Sequence, residues 1–380
     1  MKTILRLIGG MLVGAAFGLI VVIPIIAIID GESIWTVAKT IFGKFSLQDV
    51  LEIAWMLVAV LIAFILNVVL HEGGHLVAGL LTGYRFVSFR FLNWTIIRRN
   101  GRLQWGNYEL AGTGGQCLMA PPDRPVDQID TRWYNAGGVL ANLLIVVISA
   151  LLLWAFDLPA WLDELLVIMI ILGLFIGVGN GIPLKMGGVA TDGLNLLQLE
   201  KDIPGKQFFC NILEFNALNQ EGVPYDEMPE HIFALPQPID WVNSMHVGAA
   251  LMAATRMIAV HQWEEAYRLL TEAHEHSDEY MELYRLEVEN MMTQVCIAMG
   301  RNDEARQHYS DKVAKHIERH APTQSDKLLT KMAVALALEN DRPKAEAMLH
   351  ELEANRDKYI HQGDVALSLD LMRWLLDNRQ

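Results

Sequence analysis

Residues 57–81 read LVAVLIAFILNVVLHEGGHLVAGLL. The run is apolar throughout except for Asn67 and the pentapeptide His71-Glu72-Gly73-Gly74-His75 near its far end. A helix of about 20 apolar residues crosses a hydrocarbon core, so Ile53 to Leu81 predicts a membrane span that carries HExxH close to one surface. On a helix, positions i and i+4 share a face. Both imidazoles can then reach one metal ion, and Glu72 stands beside it as a proton acceptor. Alone, HExxH is a modest signal that recurs by chance. Two histidines and a glutamate near the end of a membrane helix are costly unless paired or functional, and that sharpens it. Polar residues that merely face headgroups are the weaker reading, given the spacing.

Three further stretches are long and apolar enough to cross: Ile8 to Ile29 with Pro24 inside it, Gly137 to Phe156, and Leu165 to Ile182. The first reads as a span rather than a signal peptide, because the run is long and no small-residue cleavage site follows. Basic residues set the orientation. The loop between the second and third spans holds seven arginines (Arg85, Arg90, Arg98, Arg99, Arg102, Arg124 and Arg132), and Lys2 and Arg6 precede the first. The loop after the first span has only Lys39 and Lys44, and the short one after the third has none but carries Asp157, Asp163 and Glu164. The N-terminus, the arginine-rich loop and the C-terminal half are therefore expected in the cytoplasm, in a cell inner or plasma membrane.

Charge divides the chain. Residues 1–200 hold 12 Lys and Arg against 14 Asp and Glu; residues 201–380 hold 18 against 30. An acidic half argues against nucleic acid as a partner, since phosphate binding needs a basic face. Cys117, Cys210 and Cys296 are scattered, with no CxxC pair. They suit neither a disulfide framework nor a thiolate zinc site, and suggest a reducing compartment for the tail.

A catalytic zinc needs a third protein ligand and one open position. Only two of the twelve histidines, His71 and His75, precede residue 200, so a third ligand from this half is a carboxylate. The cytoplasm-side candidates are Glu109, Asp123, Asp127, Asp130, Asp192 and Glu200. Asp192 is the best placed: it follows the last span closely and is trailed by Gly193, which permits tight backbone geometry. Its plainer role is the N-cap of a helix over Gly193 to Leu199. Asn142 and Asn180 lie in or near spans, where interhelical hydrogen bonding is the ordinary role of such residues; Asn67 reads as structural.

His71-Glu72-Gly73-Gly74-His75, with Asn180-Gly181-Ile182-Pro183 and then Asp192-Gly193 after a later helix, resembles the site-2 protease family of intramembrane metalloproteases. Ala136-Gly137-Gly138-Val139-Leu140-Ala141-Asn142 is similar to that family's Gly-Pro-x-x-x-Asn element, with Gly138 where proline is usual. The stretch from Asn180 to Asp192 is longer than the family's compact element, by a Gly-rich insertion, residues 185–191. The resemblance covers residues 50–200. It implies a three-helix catalytic core preceded by one extra helix. It also implies Zn2+ held by His71, His75 and Asp192, Glu72 as base, and Asn142 and Asn180 in contact with the substrate backbone.

Between the second and third spans, residues 83–119 read as strands, with Phe86 to Phe91 partly alternating and an Asn100-Gly101 turn signal before Arg102 to Trp105. Such a hairpin could pair with an extended substrate or serve as a lid. Residues 201–244, with five prolines, read as a mixed connector. The tail repeats: Ala266, Ala305 and Ala345 are spaced by 39 and 40 residues, and each opens an amphipathic segment after a short break. That predicts stacked helical hairpins, about three over 245–380, similar to tetratricopeptide repeats and suited to hold a protein partner. His274-Glu275-His276 reads as a solvated face. The expected fold is thus an α-helical membrane protein: four transmembrane helices with a cytoplasmic β-hairpin loop over 1–200, then a soluble all-α repeat domain. The expected function is hydrolysis of a peptide bond in or near a transmembrane segment of a membrane-protein substrate. The rival is a catalytically inactive membrane scaffold that recruits a partner through its repeats; a transporter fits less, because the ionisable cluster sits at one end only.

Overall fold

The computed structural model describes residues 24, 27–29, 31–43, 46–108, 114–186 and 189–379. Apart from Pro24 and Ala27–Ile29, the expected first span lies outside the described residues. Among the described residues, three helices are long and apolar enough to cross a membrane. After the short helix α1 (Ile34–Phe42) come α2 (Leu47–Leu81), α3 (Arg132–Ala155) and α4 (Ala160–Gly181). Each is apolar on most faces and exposes residues such as Val58, Leu66, Leu144, Leu151, Ile171 and Phe175. A helix hydrophobic all round suits a lipid environment. Helix α4 begins five residues before the expected span. Asp163 therefore falls in its first turn, where the helix dipole favours an acid, rather than in a loop.

The chain divides into two compact units, drawn from Met1–His71 with Val139–Gly179, and from Glu72–Gly138 with Asn180–Gln380. In the first, Trp55 meets Trp161 edge-on at 5.9 Å, and Asn67 donates to the carbonyls of Ala63 and Met169. Helix α2 runs unbroken through the boundary between His71 and Glu72.

The second unit contains a four-stranded antiparallel sheet of order β3-β2-β1-β4: β1 (Arg85–Phe91), β2 (Trp94–Arg99), β3 (Arg102–Asn107) and β4 (Gly115–Ala120). The expected hairpin is its β2–β3 half. Arg99 pairs with Arg102 across Asn100 and Gly101, both at positive φ, as a two-residue hairpin turn requires. Strand β4 and Tyr84, Val87 and Tyr134 form a core with Cys210, Leu213 and Ala217 of α6 (Ile203–Glu221). The connector thus opens with a helix of 19 residues. Asp202 caps it by accepting from Gly205 N at 3.1 Å, Pro204 occupies a first-turn site that needs no donor, and Gly222 ends it with φ at 84°.

The tail is helical. Helix α7 (Ser244–Ala259) packs on α8 (Trp263–Glu275), α9 (Glu282–Ala298) on α10 (Asn302–His308), and α12 (Ser325–Ala337) on α13 (Arg342–Asn355). An additional helix α11 (Asp311–His320) stands between the second and third pairs, and α14 (Gln362–Asn378) packs on the last. Ala266, Ala305 and Ala345 are each 0 % exposed, at the same place in α8, α10 and α13. A small side chain there lets paired helices close up. Ala305→Leu should overpack that contact, cost about 1–3 kcal/mol and lower the unfolding temperature followed by circular dichroism. An unchanged melting curve would show that α10 does not pack through Ala305.

Candidate functional site

His71 and His75 lie one turn apart on α2, 6 % and 8 % exposed. In the first unit, His71 Nδ1 lies 2.6 Å from Asn142 Oδ1. Asn142 donates through Nδ2 to the backbone carbonyl of Asn67 at 3.1 Å and to its side-chain oxygen at 3.2 Å. The amide is thereby oriented with its oxygen toward His71, so His71 Nδ1 carries the proton and donates.

In the second unit, His75 Nδ1 lies 2.7 Å from the carbonyl oxygen of Tyr134. A carbonyl only accepts, so this Nδ1 also carries the proton. Tyr134 is itself held: its ring stacks on Tyr84 at 4.9 Å and 11°, and its hydroxyl donates to the Cys117 carbonyl at 2.9 Å. Each histidine therefore has Nδ1 occupied, the arrangement in which outer-shell partners hold metal-site histidines.

His75 Nε2 stands 3.4 Å from Asp192 Oδ2. Other histidine–carboxylate pairs of the chain stand at 2.7 Å (His274 and His308 to Glu289), 3.2 Å (His231 to Glu214) and 3.3 Å (His350 to Glu353). Two ligands about 2.0–2.2 Å from a tetrahedral zinc are roughly 3.3–3.5 Å apart. The His75–Asp192 spacing is one that two atoms holding one ion can have, and it lies close to the longer of these pairs.

The position of Asp192 follows from its neighbours. The expected N-cap role goes to Thr191: its hydroxyl accepts from Leu194 N at 3.4 Å and from Leu184 N at 3.1 Å, and bonds the Ile182 carbonyl at 2.7 Å. Asp192 is instead the first residue of α5 (Asp192–Gln198), and its carboxylate turns toward His75. A Cβ on Gly193 would collide with the Gly181 carbonyl, so glycine is what lets α5 start against the end of α4. The insertion forms a small hairpin, Lys185–Met186 with Val189–Ala190.

The other candidate carboxylates go elsewhere. Asp123 and Asp127 are exposed. Asp130 pairs with Arg132 at 2.8 Å. Glu109 lies outside the described residues. Glu200 accepts from Thr131 N at 2.9 Å and Thr131 Oγ1 at 2.8 Å, and pairs with buried Lys206 at 2.9 Å. Asn180 is half-buried in the last turn of α4. Glu72 is half-buried on α2. Burial pushes the Arg90 guanidinium on β1 below its usual range while the Glu72 carboxylate pulls it back, and burial and Glu72 both push the Cys117 thiol up. Glu72 thus acts electrostatically on the sheet. Arg90, Tyr134 and Thr191 had no motif to mark them; each works through a backbone or charge contact made in the fold.

No family model matches this chain, and no curated protein and no solved structure matches it.

The Glu200 clamp has a sign that can be tested. Burial raises its carboxyl, but Lys206 and the two Thr131 donors outweigh that and hold it below the ordinary 4.5. A depressed folded value means stability that is present above the unfolded value and lost as pH falls through the folded one. Unfolding temperature should therefore drop as pH is lowered below about 4.5, and drop less in Glu200→Gln. At neutral pH, Glu200→Gln strands the Lys206 ammonium, 1 % exposed, and should destabilise more than Lys206→Met. The reverse order would show that the pair is not what holds α6 to the start of α3.

Proposed function

We propose that this chain is a zinc metalloprotease that cleaves a membrane-protein substrate within or beside a transmembrane segment, with His71, His75 and Asp192 as ligands. The observation that carries the reading is the 3.4 Å approach of His75 Nε2 and Asp192 Oδ2, with Nδ1 of each histidine already bonded. Three protein ligands leave the open position a catalytic zinc requires. Zinc bound there supplies Lewis acidity to a water and to the scissile carbonyl.

The rest falls to the chain's own groups. Glu72, next to His71, takes the proton of the attacking water and returns it to the leaving amine. Asn142 and Tyr134 keep the imidazoles in the ligating tautomer. Asn180, at the end of α4, is assigned to the substrate backbone. Strand β3 is an edge strand of the sheet and most of it is exposed; an extended substrate can add to it. A helical substrate must unwind first, because its own hydrogen bonds shield its carbonyls. The arginine-rich loop supports a cytoplasmic site, with both termini on that side and a protein partner at the tail.

Zinc measured per chain in detergent tests the centre. About one ion per chain is expected from the ligand count, lost in His71→Ala and Asp192→Ala. Wild type without zinc after zinc is supplied would sink the reading. Glu72→Gln should keep zinc and lose cleavage; wild-type turnover would refute its role. Asn142→Ala frees the His71 ring and should weaken zinc binding about 10–100-fold, read by competition with a chromophoric chelator.

A further inference from the structure

A second group of imidazoles converges in the tail. His274 lies in the last turn of α8, Glu289 in the middle of α9 and His308 at the end of α10. His274 Nδ1 stands 2.7 Å from Glu289 Oε1, and His308 Nδ1 stands 2.7 Å from Glu289 Oε2. The two rings meet edge-on, at 5.3 Å and 88°. One potential ligand atom from each residue lies within 4.8 Å of the other two. His276, two residues from His274, does not join them: it bonds Glu279 at 2.7 Å and stacks on Trp241. Of the two histidines expected on a solvated face, His274 therefore aims a ring nitrogen at the next helix pair.

The three residues line a cleft of about 330 Å³. The other charges on its wall have partners of their own. Glu282 pairs with Lys312 at 2.7 Å, and Arg285 stands 3.7 Å from Asp278. Among the described residues, the Glu289 carboxylate bonds the two imidazoles and nothing else. Its partners are thus the other members of the group, each of which can ligate beside it. His308 also groups with Cys296 and Glu304. Cys296 is 0 % exposed, and Glu304 accepts from the Tyr267 hydroxyl, so an ion reaches His308 from the cleft.

We propose that His274, Glu289 and His308 form a second metal site, for an exchangeable divalent transition ion such as zinc, which clamps the first helix pair of the repeats to the second. Two imidazoles and one carboxylate select zinc, copper or nickel over magnesium and calcium, which take oxygen ligands. Ligands of a tetrahedral zinc lie roughly 3.3–3.5 Å apart, so each 2.7 Å contact opens by about 0.6 Å. Rotation of two side chains shares that opening, and the partly exposed His274 has room to turn. The remaining coordination position faces the cleft and takes water, so the ion exchanges with solvent. The site shares no residue with His71, Glu72, His75 and Asp192 and does not rest on the protease reading.

An exchangeable ion does not survive purification, so it has to be supplied. Equilibrium dialysis of the full chain in detergent against micromolar Zn2+, with millimolar Mg2+ present, measures it. His274→Ala should lose one ion per chain, in the wild-type and the Asp192→Ala background alike. Its affinity for that ion should fall by more than about 100-fold, beyond the 10–100-fold cost of removing an outer-shell partner. His350→Ala, which removes an exposed histidine from another carboxylate pair, should lose none. Added Zn2+ should also raise the unfolding temperature of Asp192→Ala, because an ion held only by the folded chain stabilises it, and should not raise that of the double variant with His274→Ala. His274 is partly exposed, so its loss leaves the fold intact; Glu289→Gln is the second variant. Equal zinc binding with and without His274 and Glu289, or displacement of the ion by Mg2+, would overturn the proposal and leave the two contacts as hydrogen bonds. An ion lost with His274 from a chain whose zinc content ignores Asp192 would support this site and sink only the catalytic one.

Discussion

The hydrogen bond from His75 Nδ1 to the Tyr134 carbonyl is the constraint on which the site depends. An imidazole set among apolar helices must satisfy both nitrogens, or burial costs free energy. By occupying Nδ1, the carbonyl commits Nε2 to whatever stands opposite, and that is Asp192 at 3.4 Å. The carbonyl belongs to the first turn of α3. Its direction is set by a ring stacked on Tyr84 and a hydroxyl tied to β4. The sheet therefore acts on the site through Tyr134, although none of its residues is among the candidate ligands.

Asn142 does the equivalent work for His71, with a side chain in place of a carbonyl. Its two polar ends face different partners, His71 and Asn67, so one residue orients the imidazole and ties α3 to α2 at once. Polar residues in an apolar bundle are expected to be tied in this way, since lipid offers no competing partner. The same economy appears in the second unit. Glu200 holds the residue before α3 and the buried ammonium of Lys206 with its two oxygens, which ties the start of a membrane-length helix to α6.

Much of this was legible in the chain. The hydrophobic length of α2, α3 and α4 reads directly, because length and apolarity are properties of consecutive residues. The Asn100-Gly101 turn reads as directly, because positive φ at two successive positions selects those residues. The alanines 39 and 40 apart mark the three helix pairs. The four-stranded sheet was only half visible: β1 pairs with β4, and no short-range turn announces that pairing. Helix α6 was hidden by its prolines, since Pro204 sits in a first turn that tolerates it. Helix α11 was hidden by the near-regular alanine spacing, which leaves no mark of an added helix.

The sequence by itself determined the pair His71 and His75 and their shared face with Glu72, because a helix turns those positions together whatever surrounds it. It shortlisted six carboxylates for a third position and favoured Asp192 for its closeness to the last span and its trailing Gly193. What turns Asp192 toward His75 is tertiary. Thr191 took the cap, Gly193 let α5 start against the Gly181 carbonyl, and Asp192 was left facing His75, while Glu200 and Asp130 found cations. The tautomers were tertiary too, because a carbonyl 59 residues away decides which nitrogen of His75 keeps its proton.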